Sequence, residues 1–261
     1  MNKTKIINSE VVSLYKNNTF TSEIVSQALI WEQLKVTKQE NDWFKVKQWD
    51  QYEGWIHSKY LDCENKLNNF KKWVYVNKRL IKITSDDNKI NKFLSFGSLI
   101  PIVGNKSSNV LLTLMPDNIT YFINKIDVVE SISNISDLCC LSLCNLGTPY
   151  LWGGKSGFGY DCSGLIQTLF IFLGVKLPRD CNEQVNSKIL KRVTNSFKKG
   201  DLVYFHDNGK VNHVAMLLSN TDFIHSSGQV KIESFDKNNN NFNLDLFNKI
   251  YGFYRVKRCV V

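Results

Sequence analysis

The chain has 261 residues, of which 43% are hydrophobic and 12% aromatic, and its formal net charge is +9. This composition excludes a largely disordered chain, and the length allows two or three domains or one large one. The charge excess is spread evenly, +4 (18 − 14) over residues 1–130 and +5 (15 − 10) over residues 131–261, which indicates a solvated basic surface rather than a nucleic-acid-binding tract.

Short strands of alternating polarity dominate the first half of the sequence. A first set is predicted at residues 11–14, 34–36, 43–47 and 52–56, and a second set at residues 73–76, 80–83, 99–103, 110–114 and 119–123. Strands this short at this spacing indicate small barrels rather than a sheet with crossover helices. The polar stretch at residues 64–69 is the predicted boundary between the two sets.

The pattern changes near residue 131. Apolar residues at helical spacing from residue 132 predict one helix that ends near residues 145–149, and a second helix from Cys162 to Gly174, after a glycine-rich loop. The remaining elements are predicted strands, at residues 202–205, 213–218, 223–225, 230–232 and 251–256. Helices followed by an antiparallel sheet predict an α+β domain.

The cysteines and the amino-terminal sequence predict a reducing compartment. Seven cysteines are an odd number, no CxxC pair occurs, and Cys139, Cys140 and Cys144 share one predicted helix at spacings that disfavour a disulfide. Residues 1–20 hold no apolar stretch of signal-peptide length, and no run of about 18 apolar residues occurs anywhere. We therefore expect a cytoplasmic protein with free thiols and no membrane partner.

Cys162 is the strongest candidate for a reactive thiol. Asp161 is a good N-cap residue, so Cys162 falls in the first turn of the apolar helix that follows it. There the helix dipole and the unpaired N–H groups favour a thiolate, which predicts a pKa below the usual value of about 8.5. The alternative is a small buried residue near a helix start, as most free cysteines are.

Two of the four histidines extend this interpretation. His213 begins one apolar strand and His225 ends the next, so an antiparallel pairing can place them side by side. A cysteine nucleophile needs a base, and the base needs a third group that fixes its tautomer; Cys162, His213 and His225 are the candidates. The alternative is a pair of histidines satisfied by the backbone, which is our interpretation of His57 and His206. A zinc site has no support, because no CxxC or HExxH motif occurs.

Five motifs follow one another between residues 131 and 261. They are PYLWGG at 149–154, DCSG at 161–164, GDLVYF at 200–205, HVAM at 213–216 and IHSS at 224–227. In this order they resemble the NlpC/P60 family of peptidoglycan cysteine peptidases. The resemblance implies a papain-like catalytic domain with a Cys–His–His triad and no cofactor or metal. It also implies specificity for the bond between the γ-carboxyl of D-glutamate and a diamino acid.

The first half resembles a known domain type as well. Segments at residues 22–29, 42–46 and 52–56 are similar to bacterial SH3-like (SH3b) domains, and residues 69–130 fit a divergent second copy. The implied domains are SH3b barrels at 1–64 and 69–130 and a catalytic domain at 131–261. This arrangement resembles γ-D-glutamyl-L-diamino acid endopeptidases that recycle murein peptides, in which the N-terminal domain covers the cleft and only peptides with a free N-terminal L-Ala fit.

The resemblance also implies that four residues line the substrate side of the site: Tyr150, Asp161, Ser163 and Asp180. Cys181 stands where this subfamily commonly has serine, which puts one side-chain contact to the substrate in doubt and offers a second reactive thiol. Glu23 of the first SH3b domain is a candidate for an acidic group that reaches over the site. Three of these residues have a structural alternative: Asp161 and Asp180 are good helix caps, Asp180 with Glu183 reads as a capping box, and Tyr150 fits an aromatic wall.

Three functions from different classes agree with these residues. The first is a cytoplasmic endopeptidase acting on murein peptides. The second is a secreted or delivered lysin whose SH3b domains bind intact cell wall. The third is a catalytically idle binding protein, against which the complete Cys–His–His set argues. Acyl transfer on the same thiol–imidazole pair is a lesser fourth alternative.

Overall fold

The computed structural model describes residues 3–63 and 70–257. Its contacts divide the chain into two units, Met1–Ser131 with Ser156–Phe158, and Ile132–Lys155 with Gly159–Val261. The predicted link at residues 64–69 lies outside the described residues.

The described part of the first unit is built from strands. Those of the first sheet are β1 (Lys3–Ile7), β2 (Val11–Tyr15), β3 (Ile24–Leu29), β4 (Gln33–Glu40), β5 (Trp43–Lys47), β6 (Glu53–His57) and β7 (Leu61–Cys63). Those of the second are β8 (Trp73–Val76), β9 (Leu80–Ser85), β10 (Asn91–Ser95), β11 (Leu99–Asn105), β12 (Val110–Leu114), β13 (Thr120–Asn124) and β14 (Val128–Val129). Short 3-10 turns at Ser58–Tyr60 and Lys125–Asp127 precede β7 and β14.

The two sheets share one strand order. The first runs β3-β2-β6-β5-β4-β1-β7 and the second β10-β9-β13-β12-β11-β8-β14, so each strand of the second sheet takes the place of the strand seven earlier. The predicted small barrels are not closed, because each sheet ends on two different edge strands. Register shifts at Leu14/Tyr15, Val36/Lys38 and Ile102/Gly104 mark bulges, which increase strand twist and curl each sheet without closing it.

Strand β1 contributes to both apolar cores of this unit. Adjacent residues of a strand point to opposite faces, so Ile7 packs in the core of the first sheet and Ile6 in the core of the second. Ile30 and Trp31 also join the second core, where the rings of Trp31 and Trp73 lie 6.1 Å apart at 88°. These shared residues explain why both sheets belong to one compact unit.

Residues 132–257 contain helices followed by an antiparallel sheet, in agreement with the α+β prediction. The helices are α1 (Ile135–Leu143), α2 (Cys162–Phe170), α3 (Cys181–Val185) and α4 (Leu244–Asn248). The strands are β15 (Lys155–Ser156), β16 (Gly159–Tyr160), β17 (Leu190–Val193), β18 (Leu202–Asp207), β19 (Lys210–Leu217), β20 (Asp222–Ser227), β21 (Gln229–Ser234) and β22 (Ile250–Val256). The main sheet has the order β17-β22-β18-β19-β20-β21, and β15 pairs with β16.

Helix α2 is the central element of this unit. All nine of its residues are buried, and it contacts both β19 and β20. A 3-10 turn at Ile171–Leu173 extends it to Gly174, whose φ of 71° ends the helix near the predicted position. No helix in the described ranges has the length and apolar character required to cross a membrane.

Candidate active site

Cys162 is the first residue of α2, as the sequence predicts. The N-cap residue Asp161 accepts a hydrogen bond from the backbone N–H of Gly164 at 2.6 Å. A Cβ at Gly164 would lie 2.1 Å from the carbonyl oxygen of Gly154, so only glycine lets the preceding loop approach the helix this closely. Cys162 is 7% exposed, with Sγ 4.0 Å from the carbonyl oxygen of Asn212.

His213 and His225 lie side by side on β19 and β20. These strands pair antiparallel with Leu217 opposite Phe223, which confirms the predicted pairing through a short turn. Nε2 of His213 is 2.8 Å from Nδ1 of His225, and the two rings cross at 78°. His225 is fully buried, so its ring is shielded from solvent.

The imidazole of His213 also reaches the thiol. It interacts with the Cys162 thiol and lowers the pKa of that group. Because Nε2 of His213 is occupied by His225, Nδ1 is the nitrogen left to face the sulfur. The three residues therefore form a continuous line of contacts from α2 through β19 to β20. A thiol, a base and a group that orients the base are what thiol–imidazole catalysis requires.

A second thiol adjoins the first. Cys181, the first residue of α3, is hydrogen-bonded to Cys162, and its Sγ lies 3.9 Å from the carbonyl oxygen of Val211. That hydrogen bond and burial raise the pKa of Cys162 well above its usual value, while His213 lowers it. The same hydrogen bond lowers the pKa of Cys181. The sulfurs thus titrate as a pair, in which the first proton leaves more readily than the second.

The sequence-based expectation that the helix start lowers the pKa of Cys162 is contradicted by this arrangement. The hydrogen bond to Cys181 and the burial of the thiol, neither of which a helix position reveals, together outweigh the effect of His213. A thiolate at Cys162 therefore depends on proton transfer to His213.

Arg179 is a part of the site that sequence reasoning missed. It is 1% exposed and binds both carboxylate oxygens of Asp161, with Nη1–Oδ1 at 3.0 Å and Nη2–Oδ2 at 2.5 Å. Nη1 also donates to Oγ of Ser163 at 3.1 Å. The sequence signal that could have found it is its position directly after the apolar residues Leu177 and Pro178, which indicates burial. A buried arginine requires a carboxylate partner.

The other predicted substrate residues have mixed surroundings. Tyr150 is 36% exposed, and burial together with the nearby Cys162 and Asp161 raises the pKa of its phenol to about 12. Asp180 is the N-cap residue of α3, but its side chain makes no capping hydrogen bond, so the capping-box interpretation is wrong. Glu23 belongs to the first unit, where it contacts Nζ of Lys16 at 3.0 Å. Its substrate role stays a prediction.

The remaining two histidines have the structural role assigned to them. Nδ1 of His57 accepts the N–H of Lys59 at 3.2 Å, and Nδ1 of His206 accepts the N–H of Gly209 at 3.0 Å. Nδ1 of each ring is thus satisfied by the backbone, as expected. Among the described residues, no three His, Cys, Asp or Glu side chains are grouped so as to hold a metal ion.

Comparison with known proteins gives matches to both halves of the chain. Residues 147–246 match the NlpC/P60 family, and residues 10–62 match the bacterial SH3 domain. A crystal structure of an NlpC/P60 family protein from Bacillus cereus superposes with a TM-score of 0.83 at 22% identity, covering 97% of this chain and 98% of that one. This likeness shows the fold.

Curated relatives match this chain over different lengths. The gamma-D-glutamyl-L-lysine dipeptidyl-peptidase of Bacillus cereus is 29% identical over 233 residues, which are 80% of this chain and 68% of the relative. Dipeptidyl-peptidase 6 of Lysinibacillus sphaericus is 25% identical over 264 residues, 92% of this chain and 95% of the relative. The probable endopeptidase NlpC homolog of Haemophilus influenzae is 37% identical over 137 residues, 50% of this chain and 72% of the relative.

Proposed function

Because this chain belongs to the NlpC/P60 family of cysteine peptidases, we propose that it hydrolyses the γ-D-glutamyl–diamino acid bond of murein peptides that carry a free N-terminal L-Ala. The observation that carries the proposal is the continuous contact from the Cys162 thiol through His213 to His225, with its 2.8 Å inter-ring hydrogen bond. The relatives named for a gamma-D-glutamyl-L-lysine substrate support the choice of bond.

In the proposed reaction Cys162 is the nucleophile. Its proton passes to Nδ1 of His213, and the sulfur attacks the γ-carbonyl carbon of D-glutamate. The C–N bond breaks as His213 returns the proton to the leaving amine of the diamino acid, leaving a thioester on Cys162. Water, deprotonated by His213, then hydrolyses the thioester and releases L-Ala-D-Glu. His225 holds the His213 ring in the tautomer that these transfers need.

Recognition of the substrate's amino terminus is assigned to Tyr150 and Asp161. The phenol of Tyr150, whose pKa is raised to about 12, is a hydrogen-bond donor at neutral pH, and it remains partly exposed beside Asp161 and Cys162. Arg179 fixes the Asp161 carboxylate and offsets its charge, so we assign the amino terminus a polar contact rather than an unshared ion pair.

We place this activity in the recycling of released murein peptides in the cytoplasm. The described cysteines support a reducing compartment: Cys139, Cys140, Cys144, Cys162 and Cys181 are all free thiols. In an oxidising compartment the two adjacent thiols of the site, Cys162 and Cys181, would be susceptible to oxidation.

The test is product analysis by liquid chromatography and mass spectrometry. Purified full-length protein is incubated with L-Ala-γ-D-Glu-meso-diaminopimelate and, separately, with intact sacculi. The proposal predicts L-Ala-D-Glu and free diaminopimelate from the tripeptide, with sacculi left insoluble. Solubilised sacculi beside an intact tripeptide would replace the proposal with the lysin alternative, and no cleavage of either would support the idle binding protein.

A further inference from the structure

A carboxylate lies directly behind the histidine pair. Oε2 of Glu233 is 3.0 Å from Nε2 of His225, the ring nitrogen that faces away from His213. We propose that Glu233 is a positioning residue for the reaction, one that holds His225 in the tautomer His213 requires. This inference rests on the proposed function and extends the line of contacts from three residues to four.

The strand register brings the two side chains together. Strands β20 and β21 pair with His225 opposite Lys231 and Phe223 opposite Glu233, so Glu233 reaches His225 along the diagonal of the antiparallel pair. Diagonal neighbours on one sheet face lie within reach of long side chains. His225 is fully buried, and the side chain of Glu233 is 16% exposed, so solvent screens this contact little.

Other contacts keep Glu233 in place and ionised. Its Oε1 is 2.7 Å from Nζ of Lys231, and its Oε2 accepts a hydrogen bond from Nδ2 of Asn243 at 2.6 Å. Burial by itself would raise the pKa of Glu233, but the contacts with His225, Lys231 and Asn243 outweigh it and lower the pKa to about 2. The group behind His225 is therefore a carboxylate throughout the neutral range.

A carboxylate at this position selects one tautomer of His225. It can accept a hydrogen bond but not donate one, so it favours the form of His225 with hydrogen on Nε2 and a lone pair on Nδ1. That lone pair accepts the Nε2–H of His213, which leaves Nδ1 of His213 free to take the thiol proton. Nε2 of His225 makes no hydrogen bond of standard geometry, so the effect of Oε2 at 3.0 Å is mainly electrostatic.

The sign of the pH effect follows from the charge. His213 on β19 faces His225, and Cys162 on α2 faces His213. The other charged groups beside His225 are Glu233 and Lys231 on β21, while Asn243 at the start of α4 is neutral. Glu233 stabilises a positive charge on the two imidazoles, and so promotes proton transfer from Cys162. Without the Glu233 carboxylate, the Cys162 thiolate forms only at higher pH. The imidazolium also loses its proton at lower pH. The pH range in which the enzyme is active therefore narrows from both sides.

The experiment compares Glu233→Gln with Glu233→Asp, and with Glu53→Gln as a matched control. Glu53 is also a carboxylate bound by lysines, Lys45 and Lys47, but it lies on β6 of the first unit. We expect Glu233→Gln to lower kcat about tenfold, less than the roughly 10²–10⁴ that a general base supplies, with KM little changed and a narrower kcat/KM pH profile. Glu233→Asp, which keeps the charge, should retain the width of the profile, and Glu53→Gln should match wild type.

A double variant separates positioning from a general loss of structure. If Glu233 acts through His225, then Glu233→Gln costs nothing further in a His225→Asn background. Additive losses in the double variant, or an unchanged pH profile in Glu233→Gln, would overturn the inference. The pH dependence of Cys162 alkylation gives the same comparison without substrate. If the wild-type protein leaves the tripeptide intact, the proposed function is contradicted, and the alkylation comparison still tests the role of Glu233.

Discussion

At the scale of single residues, the two adjacent thiols determine how the site ionises. Cys162 is recognisable in the sequence from its helix position and Cys181 from the serine it replaces, but their interaction is not. That contact joins α2 to α3 through side-chain geometry, which motif spacing does not encode. The same limit applies to Arg179, whose carboxylate partner is 18 residues away in sequence.

Replacing each thiol separately tests which sulfur is the nucleophile. We expect Cys162→Ala to abolish turnover of the tripeptide while circular dichroism shows a folded protein, because the covalent route has gone. Cys181→Ala should keep turnover, and its Cys162 should be alkylated by iodoacetamide at lower pH than in wild type, since the hydrogen bond that raises the pKa of Cys162 is lost. Cys140→Ala, at an exposed thiol on α1, is the control and should match wild type in both assays.

The opposite pattern would reverse the assignment. An active Cys162→Ala with an inactive Cys181→Ala would make Cys181 the nucleophile. An alkylation midpoint that moves to higher pH in Cys181→Ala would show that Cys181 assists thiolate formation at Cys162.

At the scale of elements, the sequence predicts where α2 begins but not how the helix packs against the preceding loop. Asp161 marks the cap, and the apolar run that follows marks the helix, so the placement of Cys162 follows from local sequence. The pairing of β19 with β20 follows from two apolar strands and a short turn. The close approach of the loop at Gly154 to Gly164 is a long-range contact, and it is visible only once the chain has folded.

This close approach predicts that a substitution favourable to helices in general will be unfavourable here. Alanine is the better helix former by about 1 kcal/mol, yet Gly164→Ala would place Cβ 2.1 Å from the carbonyl oxygen of Gly154 and 2.9 Å from Oδ1 of Asp161. We expect a net loss of about 2–3 kcal/mol in the free energy of unfolding, measured by urea denaturation, together with reduced activity.

Gly209→Ala provides the control for that measurement. Gly209 has a φ of 79° and no heavy atom within 4 Å of an added Cβ, so alanine should cost only the left-handed backbone strain, about 1–2 kcal/mol, and leave activity intact. A Gly164→Ala variant as stable as wild type would mean that the loop at Gly154 yields freely and does not fix the start of α2.

At the scale of the whole molecule, the sequence predicted the strand sets and the change to helices near residue 131, but not the open sheets. Closure depends on hydrogen bonds between edge strands, and short alternating strands give no signal for it. The identical strand order of the two sheets supports our proposal that residues 69–130 are a second SH3b copy. Their shared core, through Ile6, Ile30 and Trp31, could not be derived from strand patterns.

The central claim, hydrolysis of murein peptides with a free amino terminus, is tested most directly by comparing kcat/KM for L-Ala-γ-D-Glu-meso-diaminopimelate and its N-acetyl form. Truncating one member of a buried charge pair costs about 2–5 kcal/mol. Because Arg179 already offsets the charge of Asp161, we take the smaller cost of about 2 kcal/mol. At about 1.4 kcal/mol per tenfold, this cost corresponds to a ratio of about 30 in kcat/KM. The account predicts that the free peptide is cleaved between D-Glu and diaminopimelate at least about 30-fold more efficiently. Equal rates on the two peptides, or cleavage at another bond, would contradict it.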